Sequence, residues 1–237
     1  KVGGNLSAAK VIEIPASSAQ DLTITASGNR VLVYSAANTV GYMYDESTGS
    51  LQKVTLPKPD TGFELVDVSI SNTFVVTTYS KSEEGDGVEG EKITGESKLY
   101  VQDLSGKTTK YETSSLYSKS TYCNPSTLCA VGVEGLDILE IQGTKLKKVT
   151  ALPGVNDMFS YGDTVRFIDK TGIQIFNSAT LKGHYEYTFG GYTPCGASTS
   201  VGGYLVCLID KKNQKHALFV STTEKAGSDD IDKKVLD

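Results

Sequence analysis

The sequence predicts an all-β protein, a five-bladed β-propeller of four-stranded antiparallel blades whose N-terminal strand completes the last blade. Three observations predict it. Between Val155 and Gly191, four short segments (MFSY, VRFI, IQIF and HYEYTF) are rich in β-branched and aromatic residues and are separated by gaps short enough for hairpins. A meander of this length cannot bury both faces alone, so it must recur, and it does so with a period near 40 residues. Helical periodicity of 3.6 with caps is nowhere sustained; Ala16 to Asp21 and the tail could each hold a single turn.

The start of the second strand in each unit makes the repeat countable. These starts are Val31 after Gly28-Asn29-Arg30, Phe74 after Ser71-Asn72-Thr73, Leu128 after Pro125-Ser126-Thr127, Val165 after Gly162-Asp163-Thr164, and Tyr204 after Gly202-Gly203, spaced by 43, 54, 37 and 39 residues. Third strands follow at Val40 to Asp45, Lys98 to Asp103, Leu136 to Ile141, Gly172 to Phe176 and His216 to Ser221. Fourth strands follow as QKVTLP, TTKYET, KKVTALP and HYEYTF. The fifth unit lacks one, whereas Ala9 to Pro15, AKVIEIP, is an orphan of the QKVTLP type. Pro15 precedes Val31 by 16 residues and Pro57 precedes Phe74 by 17, so the orphan has the register of a fourth strand. Closing the ring with it removes an exposed sheet edge. The expected organisation is an extension at 1–8, one propeller over 9–224 and a polar tail or linker at 225–237.

The unit Thr171 to Gly191, TGIQIFNSATLKGHYEYTFGG, resembles the YVTN and WD-like repeats, in which a strand ending V/I-F-D/N-x-x-T leads through a turn into a fourth strand; Glu46 to Pro57, ESTGSLQKVTLP, is similar. The resemblance covers most of two blades and implies propeller architecture only. The Trp-Asp dipeptide of WD repeats is absent, since the chain has no tryptophan.

The charged fraction of 22% is that of an ordinary globular protein, and a net charge of −5 without a basic, aromatic-interleaved stripe excludes nucleic acid as a partner. No run approaches the roughly 20 apolar residues of a membrane helix, so a membrane enters only through an anchor outside this sequence. A start at Lys1 suggests a processed or excised ectodomain, and the expected state is a monomer. Asn5-Leu6-Ser7 is a formal glycosylation sequon.

The four cysteines fall in two close pairs, Cys123/Cys129 and Cys195/Cys207, each straddling a turn. Two hairpin disulfides are expected, with partners opposite each other on neighbouring strands; each closed loop contributes roughly 2–3 kcal/mol. A four-cysteine zinc site is the rival, but the pairs lie two blades apart without C-x-x-C spacing. Disulfides place the protein in an oxidising compartment, outside the cell or on its surface.

The first strands should line the channel, with Asp21, Glu64 and Asp157 at their entry ends and Asp67 further in. Converging carboxylates suit a divalent cation such as calcium, or a general acid and base. The latter resembles the five-bladed glycoside hydrolases. The reading preferred over both is that they cap strand ends and accept backbone amides. His184 and His216 begin outer strands and form no cluster. Tyr42, Tyr44, Tyr100 and Tyr204 are expected in packing, and Tyr117, Tyr161 and Tyr192 as exposed recognition contacts. The long insertion Tyr79 to Ser97 carries Glu83, Glu84, Asp86 and Glu89; it is expected to be a mobile loop or extended hairpin on the channel-mouth face, contacting a basic partner or a cation. The functional expectation is a non-enzymatic adhesion or assembly module, binding a protein or surface glycan through the channel-mouth face. An extracellular glycan hydrolase and a luminal scaffold of a membrane-associated complex are the alternatives.

Overall fold

The computed structural model describes residues 22–221 apart from 38, 59, 84–93, 162, 163, 178, 201 and 202. Within them the chain forms five antiparallel sheets and no helix. Blade 1 holds β1 (Leu22–Ser27), β2 (Arg30–Ser35), β3 (Val40–Asp45) and β4 (Ser50–Thr55). Blade 2 holds β5 (Glu64–Ile70), β6 (Phe74–Glu83), β7 (Thr94–Asp103) and β8 (Thr108–Thr113). Blade 3 holds β9 (Tyr117–Asn124), β10 (Thr127–Gly132), β11 (Gly135–Gln142) and β12 (Lys145–Pro153). Blade 4 holds β13 (Val155–Tyr161), β14 (Thr164–Asp169), β15 (Gly172–Asn177) and β16 (Lys182–Thr188). Blade 5 holds β17 (Thr193–Ser200), β18 (Gly203–Ile209) and β19 (Lys215–Ser221). All five second-strand starts read from the sequence lie in second strands.

Each sheet is a meander in chain order, because gaps of two to five residues, and one of ten between β6 and β7, join antiparallel neighbours without a crossover. Asx turns set several of these gaps. Asp45 Oδ1 accepts from the Ser47 amide at 3.0 Å, and Asp103 Oδ1 from the Ser105 and Lys107 amides at 2.9 and 3.0 Å. Asn177 Oδ1 accepts from the Ala179 and Thr180 amides at 3.0 and 3.1 Å. The short polar side chain at the end of the third strand thus folds the turn into the fourth. The D/N of the V/I-F-D/N-x-x-T pattern is this capping residue.

The first strands touch one another in ring order, from β1 through β5, β9, β13 and β17 back to β1. Blades pack face to face through separate apolar clusters. Leu32 and Met43 meet Val68 and Ile70 between blades 1 and 2. Leu99 and Tyr111 meet Leu128 and Leu139 between blades 2 and 3. Val131 and Ile138 meet Met158 and Phe167 between blades 3 and 4. Ile168 and Tyr187 meet Tyr204 and Leu218 between blades 4 and 5. Buried hydroxyls stitch the same seams: Thr78 Oγ1 to Ser120 Oγ (2.5 Å), Ser69 Oγ to the Ser120 carbonyl (2.7 Å), and Thr121 Oγ1 to Ser160 Oγ (2.8 Å). Between blades 4 and 5, Arg166 forms a bidentate ion pair with Glu186 (2.8 and 3.3 Å), and Tyr204 donates to the same carboxylate at 2.8 Å.

Blades 5 and 1 meet differently. Thr199 Oγ1 donates to the Ala26 carbonyl there, and no buried apolar cluster of the described residues spans the seam. Blade 5 has three strands among the described residues, and the expected closing strand, Ala9 to Pro15, lies outside them.

The insertion of blade 2 is an extended hairpin in its described part. β6 and β7 stay paired from Phe74↔Asp103 out to Glu83↔Thr94, well beyond the strand ends read from the sequence. Residues 84–93, with Glu84, Asp86 and Glu89, lie outside the described residues.

Candidate functional site: the channel mouth

All five first strands carry residues that wall a cavity of about 390 Å³ on the propeller axis. Register explains which residues share a level. Counting back from the first-strand hairpin, the residue opposite the fifth position of the second strand is Thr23 in blade 1, Asp67 in blade 2, Lys119 in blade 3, Asp157 in blade 4 and Gly196 in blade 5. Their partners are Tyr34, Thr78, Val131, Ile168 and Cys207. In blades 2 to 5 a β-bulge immediately precedes this position, leaving Val66, Ser118, Asn156 and Cys195 without a register partner. A bulge adds a residue and re-aims the next side chain. The result is an Asp–Lys–Asp arc contributed by three successive blades.

Lys119 Nζ lies 2.5 Å from Asp157 Oδ1, which also accepts from the Met158 amide at 2.9 Å. Asp67 accepts from the backbone, with the Ser120 amide 3.3 Å from Oδ2 and the Val68 amide also donating. Its carboxyl is enclosed by protein while facing the cavity. Burial pushes its pKa up to about 7, against the pull of nearby Lys119 and with a smaller push from Asp157. Burial, and then the charge of Asp67, raise the pKa of Tyr34 across the seam with blade 1.

The structure therefore separates the expected carboxylates. Asp67 and Asp157 share one level, with Asp157 no further out, because each stands opposite the fifth residue of its second strand. Glu64 is an exposed residue at the rim, opposite Ser80, and Asp21 lies outside the described residues. Lys119 is not among the candidates that the sequence offers. The extra bulge at Cys123 shifts blade 3 by one residue and conceals its equivalence; counting from Asn124 with that residue removed would find it.

Both disulfides are present, Cys123–Cys129 with Cα atoms 5.7 Å apart and Cys195–Cys207 at 5.0 Å. The expectation of directly opposed partners needs correction. Cys129 stands opposite Thr121 and Cys207 opposite Gly196, and the first cysteine of each pair is itself a bulge residue that reaches diagonally. Tyr117 also departs from expectation. It is buried, and its hydroxyl donates to Asp137 Oδ2 at 2.9 Å, because the blade 2–3 seam closes over it. Tyr161 and Tyr192 are half-buried, and Tyr192 packs edge-on against His216. His216 pairs with Asp210 at 3.2 Å, remote in the fold from His184 on β16. Glu83 is the last residue of β6. Among the described residues, no three His, Cys, Asp or Glu side chains gather closely enough to hold a metal ion.

No protein-family model matches the sequence, and no curated protein does. Solved structures do. The acylaminoacyl peptidase of Pyrococcus horikoshii superposes with a TM-score of 0.52 at 11% identity, over 88% of this chain and 39% of that one. The Myceliophteria thermophila Cps50 (Swd1) β-propeller domain matches with a TM-score of 0.46 at 13% identity, over 88% and 67%. The extracellular domain of the hybrid two-component system BT3049 from B. thetaiotaomicron matches at 0.42 and 14%, over 91% and 31%. The chain thus spans well under half of the peptidase's length. At such identity the likeness shows the fold alone.

Proposed function

We propose that the protein is a non-enzymatic binding module of a secreted or cell-surface protein, presenting the channel-mouth face to a protein or a surface glycan. One observation carries this reading: both carboxylates at this level of the mouth already accept hydrogen bonds from groups of the protein. Asp157 is held by Lys119 and the Met158 amide, and Asp67 by amides of β5 and β9. A hydrolytic pair needs one carboxylate free to act as base or nucleophile beside the acid. The two disulfides support the oxidising compartment that this setting requires. Calcium at the acidic insertion, and a scaffold role within a membrane-associated complex, stand as subordinate readings of the same face.

The test is a binding screen against immobilised extracellular glycans and cell surfaces, run beside a turnover assay on the same oligosaccharides. Binding without turnover, weakened by Glu64→Lys at the rim, is the expected result. Turnover abolished by Asp67→Asn would overturn the reading in favour of the hydrolase, because a carboxyl with a pKa near 7 is a competent general acid.

A further inference from the structure

We propose that the channel mouth is a receptor site for one primary ammonium group on an aliphatic stem, either a lysine side chain of a partner protein or a free alkylamine, with Asp67 as the carboxylate that holds it. The inference rests on reading the mouth as the binding face and names what that face selects.

Charge at the arc is unbalanced. Two carboxylates flank one ammonium, and Lys119 is committed to Asp157 at 2.5 Å. The groups facing Asp67 from the surrounding strands are Lys119 on β9, Asp157 on β13 and the Tyr34 phenol on β2. With Asp67 ionised and the phenol neutral, their formal sum is −1. A carboxylate carrying that surplus in an enclosed cavity takes up either a proton or a cation. A divalent ion wants six or more oxygen ligands, and the described residues gather no such set. An ammonium wants three acceptors; Asp67 is one, and the Thr25 and Ser198 hydroxyls lie on the same cavity wall.

The rest of the wall suits a methylene stem. Ile24 is 68% exposed although it lines the cavity, and Phe159 lines it from blade 4. These two residues offer apolar surface for a (CH₂)n chain one and two levels along the channel from Asp67, opposite the fourth and third positions of their second strands. The fifth place on the ring is Gly196, at φ +144°, where a Cβ would meet no atom within 4 Å. The cavity, at about 390 Å³, lies within the range of small-ligand sites, ~300–1,000 Å³.

The ligand must find Asp67 ionised. Because burial holds its pKa at about 7, affinity for the ammonium rises between pH 6 and pH 8 by about tenfold, then falls above roughly pH 10 as the amine itself loses its proton.

Titration calorimetry with n-butylammonium, the amide of Nα-acetyl-lysine and neutral n-butanol tests the proposal on the whole chain. Both ammonium probes should bind at pH 8, about tenfold less tightly at pH 6, and butanol at neither. Asp67→Asn should abolish binding with an unchanged circular dichroism spectrum, while Asp60→Asn, whose carboxylate pairs with Lys98 and Lys110, should bind as the parent does. Binding of the lysine amide in preference to butylammonium identifies a protein side chain as the source; the reverse order identifies a free amine. Butanol binding as tightly as butylammonium, or an Asp67→Asn variant that keeps the amine, overturns the proposal. If neither ammonium probe binds but Glu64→Lys still weakens glycan or surface recognition, the ammonium site is wrong and the binding-module reading survives. If Glu64→Lys also changes nothing, both fail.

Discussion

At position 67 a carboxylate stands where a neutral side chain would suit the fold better. Its unfolded pKa is near 3.8 and its folded value about 7, so the folded state keeps a proton that the unfolded chain has lost between those pH values. Stability from this group is therefore fully present below about pH 4, declines as pH rises through 7, and is flat above. Asp67→Asn keeps an acceptor for the Ser120 amide and removes the buried charge. Urea unfolding at a series of pH values should show the variant flat between pH 4 and 8 where the parent declines, and more stable at pH 8 by roughly 4 kcal/mol. The same variant is expected to lose the ammonium, so the position trades stability for binding. Arg166 and Glu186 make the contrasting case. Their side chains are only 10% and 6% exposed, and the pair is held within the fold with Tyr204 as third member, while Arg166 Nη1 is buried without a hydrogen-bond partner. Truncating Arg166 to alanine strands a buried carboxylate and should cost about 3–5 kcal/mol, whereas Arg166→Met with Glu186→Leu should recover most of it in thermal unfolding.

Strands and turns are legible in the sequence because alternation of apolar residues and Asx-type turns both leave marks on composition. The third strand of blade 1, Val40 to Asp45, has the same limits in sequence and structure, and its end is marked by the capping Asp45. Bulges leave no such mark. Val66, Asn156 and Cys195 look like ordinary strand residues, yet each interrupts the pairing directly beside the level at which Asp67, Asp157 and Gly196 stand. That is why Asp67 and Asp157 are recognisable singly in the sequence while their shared level, and Lys119 between them, are not. The disulfides belong to the same scale. The cysteine pairing is readable from spacing, but the diagonal geometry comes from bulges at Cys123 and Cys195. Replacing Cys195 and Cys207 together with alanine removes a link across 12 residues and should lower stability by roughly 2–3 kcal/mol by the loop-entropy account. Denaturant unfolding of the double variant against the parent measures this, and an unchanged midpoint would show that the bulge alone fixes the corner.

Across the whole molecule, the ring is sealed unevenly. Four of its five seams carry buried apolar clusters, while the seam between blades 5 and 1 rests among the described residues on Thr199 and the touching first strands. On that side of blade 5, Leu205 and Phe219 are 41% and 44% exposed, and β19 is the last strand of its sheet among the described residues. An apolar face beside an open edge is an aggregation hazard unless something pairs with it. The sequence contains a strand-like segment of matching register, Ala9 to Pro15, in which Val11, Ile12 and Ile14 are apolar and Glu13 is not. Deleting residues 1–15 therefore tests ring closure directly. The truncated chain should unfold at a lower temperature than the parent and form oligomers in size-exclusion chromatography with light scattering. Supplying AKVIEIP as a separate peptide should restore the monomer, since an added strand satisfies the same backbone groups. A truncated chain that stays monomeric with an unchanged unfolding temperature would assign the edge of blade 5 to no part of that segment.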